Sequence, residues 1–401
     1  MHESTPIEPR KVAVFTGNRS DYGLLFPLIK AIEADLRLTC HLLVSGGHLQ
    51  DNFGRTLQEI ESDGFDIYAE VRIETDDDSP FGTAQAIGTG ILSVGRILAE
   101  LKPDFLLIYG DRYETFAAAI AGSQLSIPVA HVEGGDYTEG GALDDSVRHA
   151  ITKLSHLHFA TNTQAVQRLT GLGEEPWRIN NVGLPVLDLV SAGVYASPEE
   201  VAKRLDLDLS LPIVLFCQHS VATEFDQAGK QTVPSLTALE ALAGQHYQVI
   251  ITHPNSDAGG RRILKELHDL EQRQVPGITF RPSLGRYLFH GVLNVIGQVG
   301  RGACVGNSSG GIKETPAFGC PSVNIGSRQR GRLRGNNVID VPYEADATVA
   351  AIQRCVEDQE WRSHCRHCVN PYGRGDSGAR VAEILAATAV EISLLQKKMT
   401  Y

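Results

Sequence analysis

Residues 306–311, Gly-Asn-Ser-Ser-Gly-Gly, form a run of small side chains that could hold an anion. They follow the apolar residues 303–305, predicted as a strand, and lead into a predicted helix that carries Glu314. Backbone N–H groups at a helix start attract anions, glycine allows close approach, and Ser308 and Ser309 can add hydroxyl donors. Glu314, about one helical turn further on, can accept from the two hydroxyls of a ribose. The run predicts a nucleoside diphosphate site, although a glycine-rich turn with a serine cap is the structural alternative.

Two further polar segments follow predicted strands in the same half of the chain. Residues 217–220 read Cys-Gln-His-Ser, and residues 252–260 read Thr-His-Pro-Asn-Ser-Asp-Ala-Gly-Gly. Each can be a simple surface loop, but loops at strand ends often carry binding residues. The candidate ligand contacts in these segments are His219, His253, Asn255 and Asp257.

The first half of the chain places acidic residues at strand and helix ends. Asp111 and Glu133 each follow an apolar strand, and Asp144 opens a helix that also carries Arg148. Crowded carboxylates raise one another's pKa, which provides proton donors and acceptors near neutral pH, as acid–base chemistry on a sugar requires. Helix capping by Asp111, a favourable helix start at Asp144 and a salt bridge from Arg148 remain open alternatives. For Glu133 an ionised carboxylate so near the sheet favours function.

A guanidinium and an imidazole complete the candidates of the first half. Arg19 lies in Thr-Gly-Asn-Arg-Ser-Asp after the first predicted strand and suits a phosphate or carboxylate. His48 ends Ser-Gly-Gly-His, and a structural role for it stays open because histidines often end strands.

Strands that alternate with helices predict an α/β fold with parallel sheets covered on both faces. The first series of strands is predicted at residues 12–16, 39–44, 66–73, 105–109, 128–132 and 157–160, with helices at 23–34, 84–101, 113–123 and 146–154. The second series is predicted at residues 213–216, 249–252, 278–280, 303–305, 322–325 and 338–341. The pattern pauses near residues 180–185, so we expect domains at 1–190 and 197–377. Residues 378–398 are predicted as one long helix.

Composition excludes several classes of partner. The 401 residues carry a net charge of −12, so no basic field attracts nucleic acid or an anionic membrane. No signal peptide or spanning segment is visible, which predicts a cytoplasmic protein whose seven cysteines are reduced. Residues 364–368, His-Cys-Arg-His-Cys, lack a second ligand pair at zinc-finger spacing, so no metal is predicted.

Seven segments, in order along the chain, resemble the motifs of the UDP-N-acetylglucosamine 2-epimerase family. They are TGNRSDYG, SGGHL, YGDRYE, IPVAHVEGGDYTEGGALDDSVRHAITKLSHLHF, NVGLP, THPNSDAGG and GNSSGGIKETPAFGCPSVNIGSRQRGR. The resemblance covers nearly the whole chain and is greatest to the hydrolysing branch. That branch releases N-acetylmannosamine and UDP from a nucleotide-sugar substrate, UDP-N-acetylglucosamine, for sialic-acid-type pathways.

The resemblance implies a GT-B fold, in which two Rossmann-like domains flank an interdomain cleft and a terminal helix, 378–401, returns to the first domain. It implies no dinucleotide cofactor and no metal, and a homodimer or homotetramer. The family's catalytic carboxylates correspond to Asp111, Glu133 and Asp144. Its basic residues around the diphosphate and sugar correspond to Arg19, Arg148 and His219, with His48 near the substrate. Its phosphate and ribose contacts correspond to Ser308, Ser309 and Glu314.

The implied reaction is an elimination followed by hydration. UDP leaves C1 while Glu133 or Asp111 takes the C2 proton, and water then adds to the 2-acetamidoglucal as C2 is protonated on the opposite face. Asn-Arg-Ser-Asp at 18–21 and Asp-Asp at 144–145 favour the hydrolysing branch over the reversible one. Residues 132–134 and 218–220 depart from the usual motifs, so a UDP- or GDP-linked 2,4-diacetamido-2,4,6-trideoxy sugar remains an alternative substrate. A retaining GT-B glycosyltransferase and a sugar-nucleotide sensor are the rivals from other classes.

Overall fold

The computed structural model of the chain describes residues 8–49, 57–73, 80–137, 143–255 and 258–401, without the side chains of residues 19, 20, 80, 143 and 222. The chain forms two compact units. The first takes in the described residues up to Asp188 together with Tyr372–Tyr401, and the second is Leu189–Pro371.

The first unit contains a seven-stranded parallel sheet in the order β3-β2-β1-β4-β5-β6-β7. Its strands are β1 Arg10–Thr16, β2 Leu38–Ser45, β3 Ile67–Val71, β4 Phe105–Tyr109, β5 Val129–Val132, β6 Leu157–Ala160 and β7 Ile179–Asn181. Its helices are α1 Arg19–Ala34, α2 Leu57–Ser62, α3 Pro80–Leu101, α4 Tyr113–Gln124, α5 Leu143–Leu154 and α6 Thr163–Gly171. The central strands are buried along their whole length because helices cover both faces, as continuous apolar runs such as that of β4 predict.

The second unit contains a six-stranded parallel sheet in the order β10-β9-β8-β11-β12-β13. Its strands are β8 Ile213–Cys217, β9 Gln248–Thr252, β10 Ile278–Arg281, β11 Gly302–Gly306, β12 Ser322–Ile325 and β13 Val338–Val341. After α7, Leu187–Ser191, the helices are α8 Pro198–Leu205, α9 Ala228–Ala243, α10 Gly260–Glu271, α11 Gly285–Asn294, α12 Gly310–Lys313, α13 Ala345–Glu357 and α14 Gln359–Arg366. Two Rossmann-like sheets in one chain confirm the predicted fold class and the organisation of the GT-B fold.

The C-terminal segment differs from the single long helix predicted for residues 378–398. Helix α15 ends at Ala387 and a short helix follows, α16 Ile392–Leu395. The Arg10 guanidinium donates to the carbonyls of Leu385 and Thr388, and Thr388 is extended. The chain therefore leaves the helix because a side chain from β1 binds its last carbonyl groups. No helix in the described part of the chain is long and apolar enough to cross a bilayer.

Candidate active site

Each sheet reverses its strand order at one point, and candidate residues follow the strands at that point. In the first sheet β1 lies beside β4, and in the second β8 lies beside β11. Ligands of open parallel sheets bind outside the carboxyl ends of the strands at such a reversal. The loops after these strands are therefore expected to carry the binding and catalytic side chains.

Arg148, on α5, lies at the centre of the acidic residues of the first unit. Its side chain is only 2% exposed and donates to the Asp111 carboxylate and, at 3.3 Å, to the main-chain carbonyl of Glu133. Its Nη1 also lies 3.8 Å from Glu133 Oε1 and 4.0 Å from Asp136 Oδ2. Burial alone would lower the pKa of Arg148, but the neighbouring carboxylates raise it, so the guanidinium stays charged. The structure thus brings together Asp111 and Glu133, which were selected from their positions after strands, and Arg148, which was selected from its helix.

Asp111 lies in the turn after β4 and does not occupy the capping position of α4, which is Arg112. His131 on β5 holds this turn, since its Nε2 lies 2.7 Å from the carbonyl oxygen of Gly110. Burial lowers the pKa of His131 to about 3, so the imidazole is neutral and Nε2 donates. The Asp111 carboxylate therefore binds Arg148 rather than the start of α4.

Glu133 follows β5 with a φ of 68°, in the left-handed region that favours glycine. Its carboxylate accepts a hydrogen bond from the Tyr109 hydroxyl, and the residue is 6% exposed. Burial and the charge of Glu133 raise the pKa of Tyr109, which keeps the phenol protonated as a donor. A strained backbone that presents a buried carboxylate is typical of a functional site.

Two aspartates that were not among the predicted site residues join this region, and the predicted role of Asp144 stays a prediction. Asp136 is buried and accepts a hydrogen bond from Asn162 at 3.4 Å. Asp145 is buried in the first turn of α5, and its charge helps to raise the pKa of Arg148. Asp144 opens the same helix with an exposed side chain. In the sequence, Asp145 is marked only by its place in an Asp-Asp pair, and Asp136 only by its place directly after two glycines.

A second acidic group lies near the carboxyl end of β1. Asp21 is buried and accepts from Asn18 Nδ2 at 2.9 Å, while Glu114 pairs with Arg112 at 3.2 Å. Burial raises the pKa of Asp21 well above its usual value; Arg112 lowers it, and Glu114 and Asp111 raise it further. Burial is the main cause of this shift, and the neighbouring carboxylates add to it in the direction expected of crowded acids.

His48 and Arg19 were also predicted in this region. His48 is fully buried in the 3-10 turn Gly46–Leu49, with Nε2 3.0 Å from the hydroxyl of Thr16. Arg19 begins α1, but its side chain lies outside the described part of the chain. Its phosphate-binding role stays a prediction.

Asn307 joins three loops of the second unit. The N–H of His219 donates to Asn307 Oδ1 at 2.6 Å, and Asn307 Nδ2 donates back to the His219 carbonyl at 2.9 Å. The Asn307 carbonyl accepts from Gln329 Nε2 at 2.8 Å. The loops after β8, β11 and β12 are therefore held together by one buried side chain and its backbone, a role the sequence pattern does not reveal.

His219 has a tautomer set by its neighbours. Its Nδ1 accepts from the backbone N–H of Asn255 at 3.0 Å, so the neutral ring carries its proton on Nε2. Nε2 lies 3.4 Å from the Cys217 sulfur. Burial raises the pKa of the Cys217 thiol, but His219 lowers it to about 7. His219 and Asn255 are thus brought together, and Nε2 is a hydrogen-bond donor.

The glycine–serine run forms a turn and a single turn of helix, α12, rather than the longer helix that the sequence analysis expected. So short a helix has little dipole, so the candidate donors to an anion are the turn's own N–H groups. Among the described residues there is no acceptor for the N–H groups of Ser308 and Ser309. Gly306 has a φ of 124°, and a Cβ there would lie 2.0 Å from the Cys217 carbonyl.

Glu314 directly follows α12 and has a partner that the sequence did not suggest. Its Oε2 lies 2.6 Å from Nε2 of His290 on α11. The remaining predicted residues are less defined. His253 directly follows β9, is partly buried and has its pKa lowered by burial. Asp257 lies outside the described residues, and the residues that are described include no group of three or more side chains placed to hold a metal ion.

Comparisons with known proteins agree on one family. The family model described as UDP-N-acetylglucosamine 2-epimerase matches residues 30–386. The chain is 36% identical over 346 residues to the UDP-N-acetylglucosamine 2-epimerase of Neisseria meningitidis, covering 86% of this chain and 87% of the relative. It is 32% identical over 396 residues to the UDP-N,N'-diacetylbacillosamine 2-epimerase (hydrolyzing) of Legionella pneumophila, covering 98% of this chain and all of the relative. The crystal structure of UDP-GlcNAc 2-epimerase from Neisseria meningitidis bound to UDP-GlcNAc has the same fold, with a TM-score of 0.80, 19% identity, and coverage of 94% of this chain and 100% of that one.

Proposed function

Because the chain belongs to the UDP-N-acetylglucosamine 2-epimerase family, we propose that it is a hydrolysing 2-epimerase that converts UDP-N-acetylglucosamine to UDP and N-acetylmannosamine. The observation that carries this proposal is the cluster of Asp111, Glu133 and Arg148 at the carboxyl ends of β4 and β5. The full-length similarity to a relative named as hydrolysing supports the choice of branch. The product would feed sialic-acid-type sugar biosynthesis.

The chemistry requires that UDP leaves before or while the C2 proton is removed, because that proton is not acidic in the intact sugar. Positive charge that develops at C1 makes the proton labile, and Asp111 or Glu133 accepts it. Both carboxylates lie against the charged Arg148, and Glu133 is further oriented by the Tyr109 hydroxyl. The electron pair of the C2–H bond forms the C1–C2 double bond of 2-acetamidoglucal, and the electron pair of the C1–O bond leaves with UDP. Water then adds to C1 while a proton is delivered to the opposite face of C2.

The second unit would bind the nucleotide diphosphate. The N–H groups of Ser308 and Ser309 are donors suited to phosphate oxygens, and Asn307 holds their loop to the loop of His219. These donors stabilise negative charge as it grows on departing UDP, an effect on the order of several kcal/mol for a preorganised site. No phosphate-binding lysine is needed for this role.

The test is incubation with UDP-N-acetylglucosamine and no acceptor, in D2O. We expect UDP and N-acetylmannosamine with deuterium at C2; product without deuterium at C2 excludes the elimination. Release of UDP-N-acetylmannosamine instead identifies a reversible epimerase. Lack of turnover without an acceptor, together with transfer when one is supplied, identifies a glycosyltransferase.

A second candidate substrate is a UDP- or GDP-linked 2,4-diacetamido-2,4,6-trideoxy sugar, which the similarity to the Legionella relative favours. The same elimination and hydration would act on it, because the reaction involves only C1 and C2. Parallel kcat/KM measurements with both substrates decide between them. We place either reaction in the cytoplasm, in a homodimer or homotetramer, and all seven cysteines being unpaired supports that location.

The two candidate bases can be separated by partial reactions. Asp111→Asn and Glu133→Gln are each assayed for elimination from the nucleotide sugar and for hydration of synthetic 2-acetamidoglucal. The variant that loses elimination but retains hydration identifies the residue that removes the C2 proton. A variant that loses both identifies a group used in each step.

A further inference from the structure

We propose that His290 is a positioning residue for ribose recognition, which holds Glu314 so that this carboxylate accepts the hydroxyls of the nucleotide's ribose. The inference rests on the proposed function, because it takes the second unit to bind a nucleoside diphosphate. His290 itself would not touch the nucleotide. It acts through Glu314 alone.

The contact between the two side chains is short and buried. His290 Nε2 lies 2.6 Å from Glu314 Oε2, and the side chains are 1% and 16% exposed. His290 Nδ1 is buried and has no hydrogen-bond partner among the described residues. A proton on Nδ1 would therefore be a buried, unpaired donor, which is costly. Nε2 is therefore the ring nitrogen that carries the proton and donates to the carboxylate.

Aromatic packing holds the His290 ring in place. Its centroid lies 5.4 Å from that of Phe318 and 6.0 Å from that of Phe289. Phe289 in turn lies against Gly310, since a Cβ on that glycine would be 3.2 Å from Phe289 Cζ and 3.0 Å from Glu314 Oε1. One helix, α11, therefore braces both the glycine–serine turn and the carboxylate that follows it.

This arrangement leaves one carboxylate oxygen for a ligand. Oε2 accepts from His290, whereas Oε1 lies on the side of Gly310, in the turn that carries the candidate phosphate donors. An unheld glutamate loses side-chain freedom when it binds a hydroxyl, and a glutamate already held by a partner avoids most of that loss. His290 should thus strengthen ribose binding without adding a contact to the nucleotide.

The experiment compares ribonucleotides with 2′-deoxyribonucleotides by calorimetric titration. UDP, GDP and their 2′-deoxy forms are titrated into the full chain and into His290→Phe, His290→Gln and Tyr287→Phe. Phenylalanine keeps the ring packing and removes the donor, and the glutamine amide can still donate to Glu314. Tyr287→Phe is the matched control, because it removes a hydrogen bond from the same helix to a different glutamate, Glu200, at 3.0 Å.

We expect the wild type to bind the ribonucleotide roughly tenfold more tightly than its 2′-deoxy form, as befits a hydrogen bond to a charged group. His290→Phe should lose this preference and bind the 2′-deoxy form as the wild type does, and His290→Gln and Tyr287→Phe should keep it. A merely structural role would weaken both nucleotides equally.

The outcomes separate the two proposals. If the wild type binds neither UDP nor GDP, the proposed function is wrong. If it binds them but does not discriminate ribose, or if His290→Phe discriminates as well as the wild type, the role of His290 is overturned while the proposed function stands. Should His290→Phe not fold, the imidazole 15N shifts of the wild type decide, because a proton on Nδ1 contradicts the assignment and a proton on Nε2 alone supports it.

Discussion

Two buried ionic clusters in the first unit differ in their balance of charge. The Arg148 cluster consists of Asp111, Glu133, Asp136, Asp145 and Arg148. The Glu174 cluster consists of Lys153, His158, Glu174 and Lys397. The first surrounds one cation with carboxylates, whereas the second surrounds one carboxylate with cations and a neutral imidazole.

The Glu174 cluster has the properties of a structural contact. Its carboxylate accepts from Lys397 at 2.7 Å and from Lys153 and His158 at 2.9 Å. Burial alone would raise the pKa of Glu174, but these hydrogen bonds lower it to about 2. The cluster joins α5, β6 and the terminal segment after α16, so its function is to attach the end of the chain to the first unit.

The Arg148 cluster has a surplus of acid that architecture alone does not require. Several carboxylates around one buried guanidinium are costly, so such a surplus persists where a proton or a ligand's positive charge is handled. The two clusters differ in the sign of their excess charge. The excess is negative in the Arg148 cluster, which we assign to chemistry, and positive in the Glu174 cluster, which we assign to structure. Single substitutions in each cluster test this distinction.

The largest effect is expected from Glu133→Gln, which keeps the side chain's shape and removes its charge. Turnover of the nucleotide sugar should fall roughly a thousandfold, because proton transfer needs the carboxylate. Urea unfolding should stay within about 1 kcal/mol of the wild type, since the surplus of acid is reduced. UDP release measures the turnover, and urea titration measures the free energy of unfolding. Retained activity, or a large loss of stability, would contradict the assignment of this cluster to chemistry.

The reverse result is expected from Glu174→Gln. The variant removes the fully buried carboxylate charge and leaves Lys397, whose side chain is only 16% exposed, beside an uncharged amide, so the free energy of unfolding should fall by about 3 kcal/mol. Turnover at temperatures where the protein stays folded should be unchanged. Glu240→Gln is the control, because its pair with Arg273 lies on the surface, with side chains 26% and 54% exposed, and should be worth no more than about 1 kcal/mol. Equal losses in the two variants would show that the Glu174 cluster has no special role.

The sequence predicted most strands and the centre of the Arg148 cluster. Apolar runs such as that of β4 mark buried parallel strands, and polar residues directly after them mark the carboxyl edge of the sheet. Asp111 and Glu133 were found in this way. The edge strand β7, Ile-Asn-Asn, was missed because it is short, polar and half-buried.

Contacts between distant elements could not be predicted in the same way. The guanidinium of Arg178 donates to the carbonyls of Ser393, Leu394 and Gln396, and so binds the end of the short helix α16 to the first unit. No periodicity in residues 378–398 reveals such a partner. For the same reason the pairing of His290 with Glu314, across separate helices, appears only in three dimensions.

Acidification should destabilise both clusters through buried neutral histidines. Burial lowers the pKa of His131, beside the Asp111 turn, to about 3, that of His156 to about 4, and that of His158 below its usual range. The unfolded chain binds protons near pH 6.5 while the folded chain does not, so stability is full above that pH and falls below it. Each histidine should contribute about 1.4 kcal/mol per pH unit between its two pKa values.

Urea titrations from pH 7.5 to pH 4.5 measure this slope. His156→Asn is the matched variant, because the asparagine oxygen can still accept from the Val129 N–H, which donates to His156 Nδ1 at 3.0 Å. The slope of its free energy of unfolding against pH should be smaller by the contribution of one histidine. A stability that stays level from pH 7 to pH 5 would show that these imidazoles take up protons in the folded protein as readily as in the unfolded chain.

The smallest effect is expected from Lys397→Met, and its size sharpens the comparison most directly. Glu174 keeps Lys153 and His158 as donors when Lys397 is lost, so the free energy of unfolding should fall by only about 1 kcal/mol. Arg148→Met removes the guanidinium at the centre of its cluster, leaves buried carboxylates facing one another, and should cost about 3 kcal/mol or more. Urea titration of both variants at pH 7 gives the difference. If Lys397→Met lowers the free energy of unfolding as much as Arg148→Met does, the remaining cations of the Glu174 cluster do not compensate for the lost lysine. The sign of a cluster's excess charge would then not indicate its function.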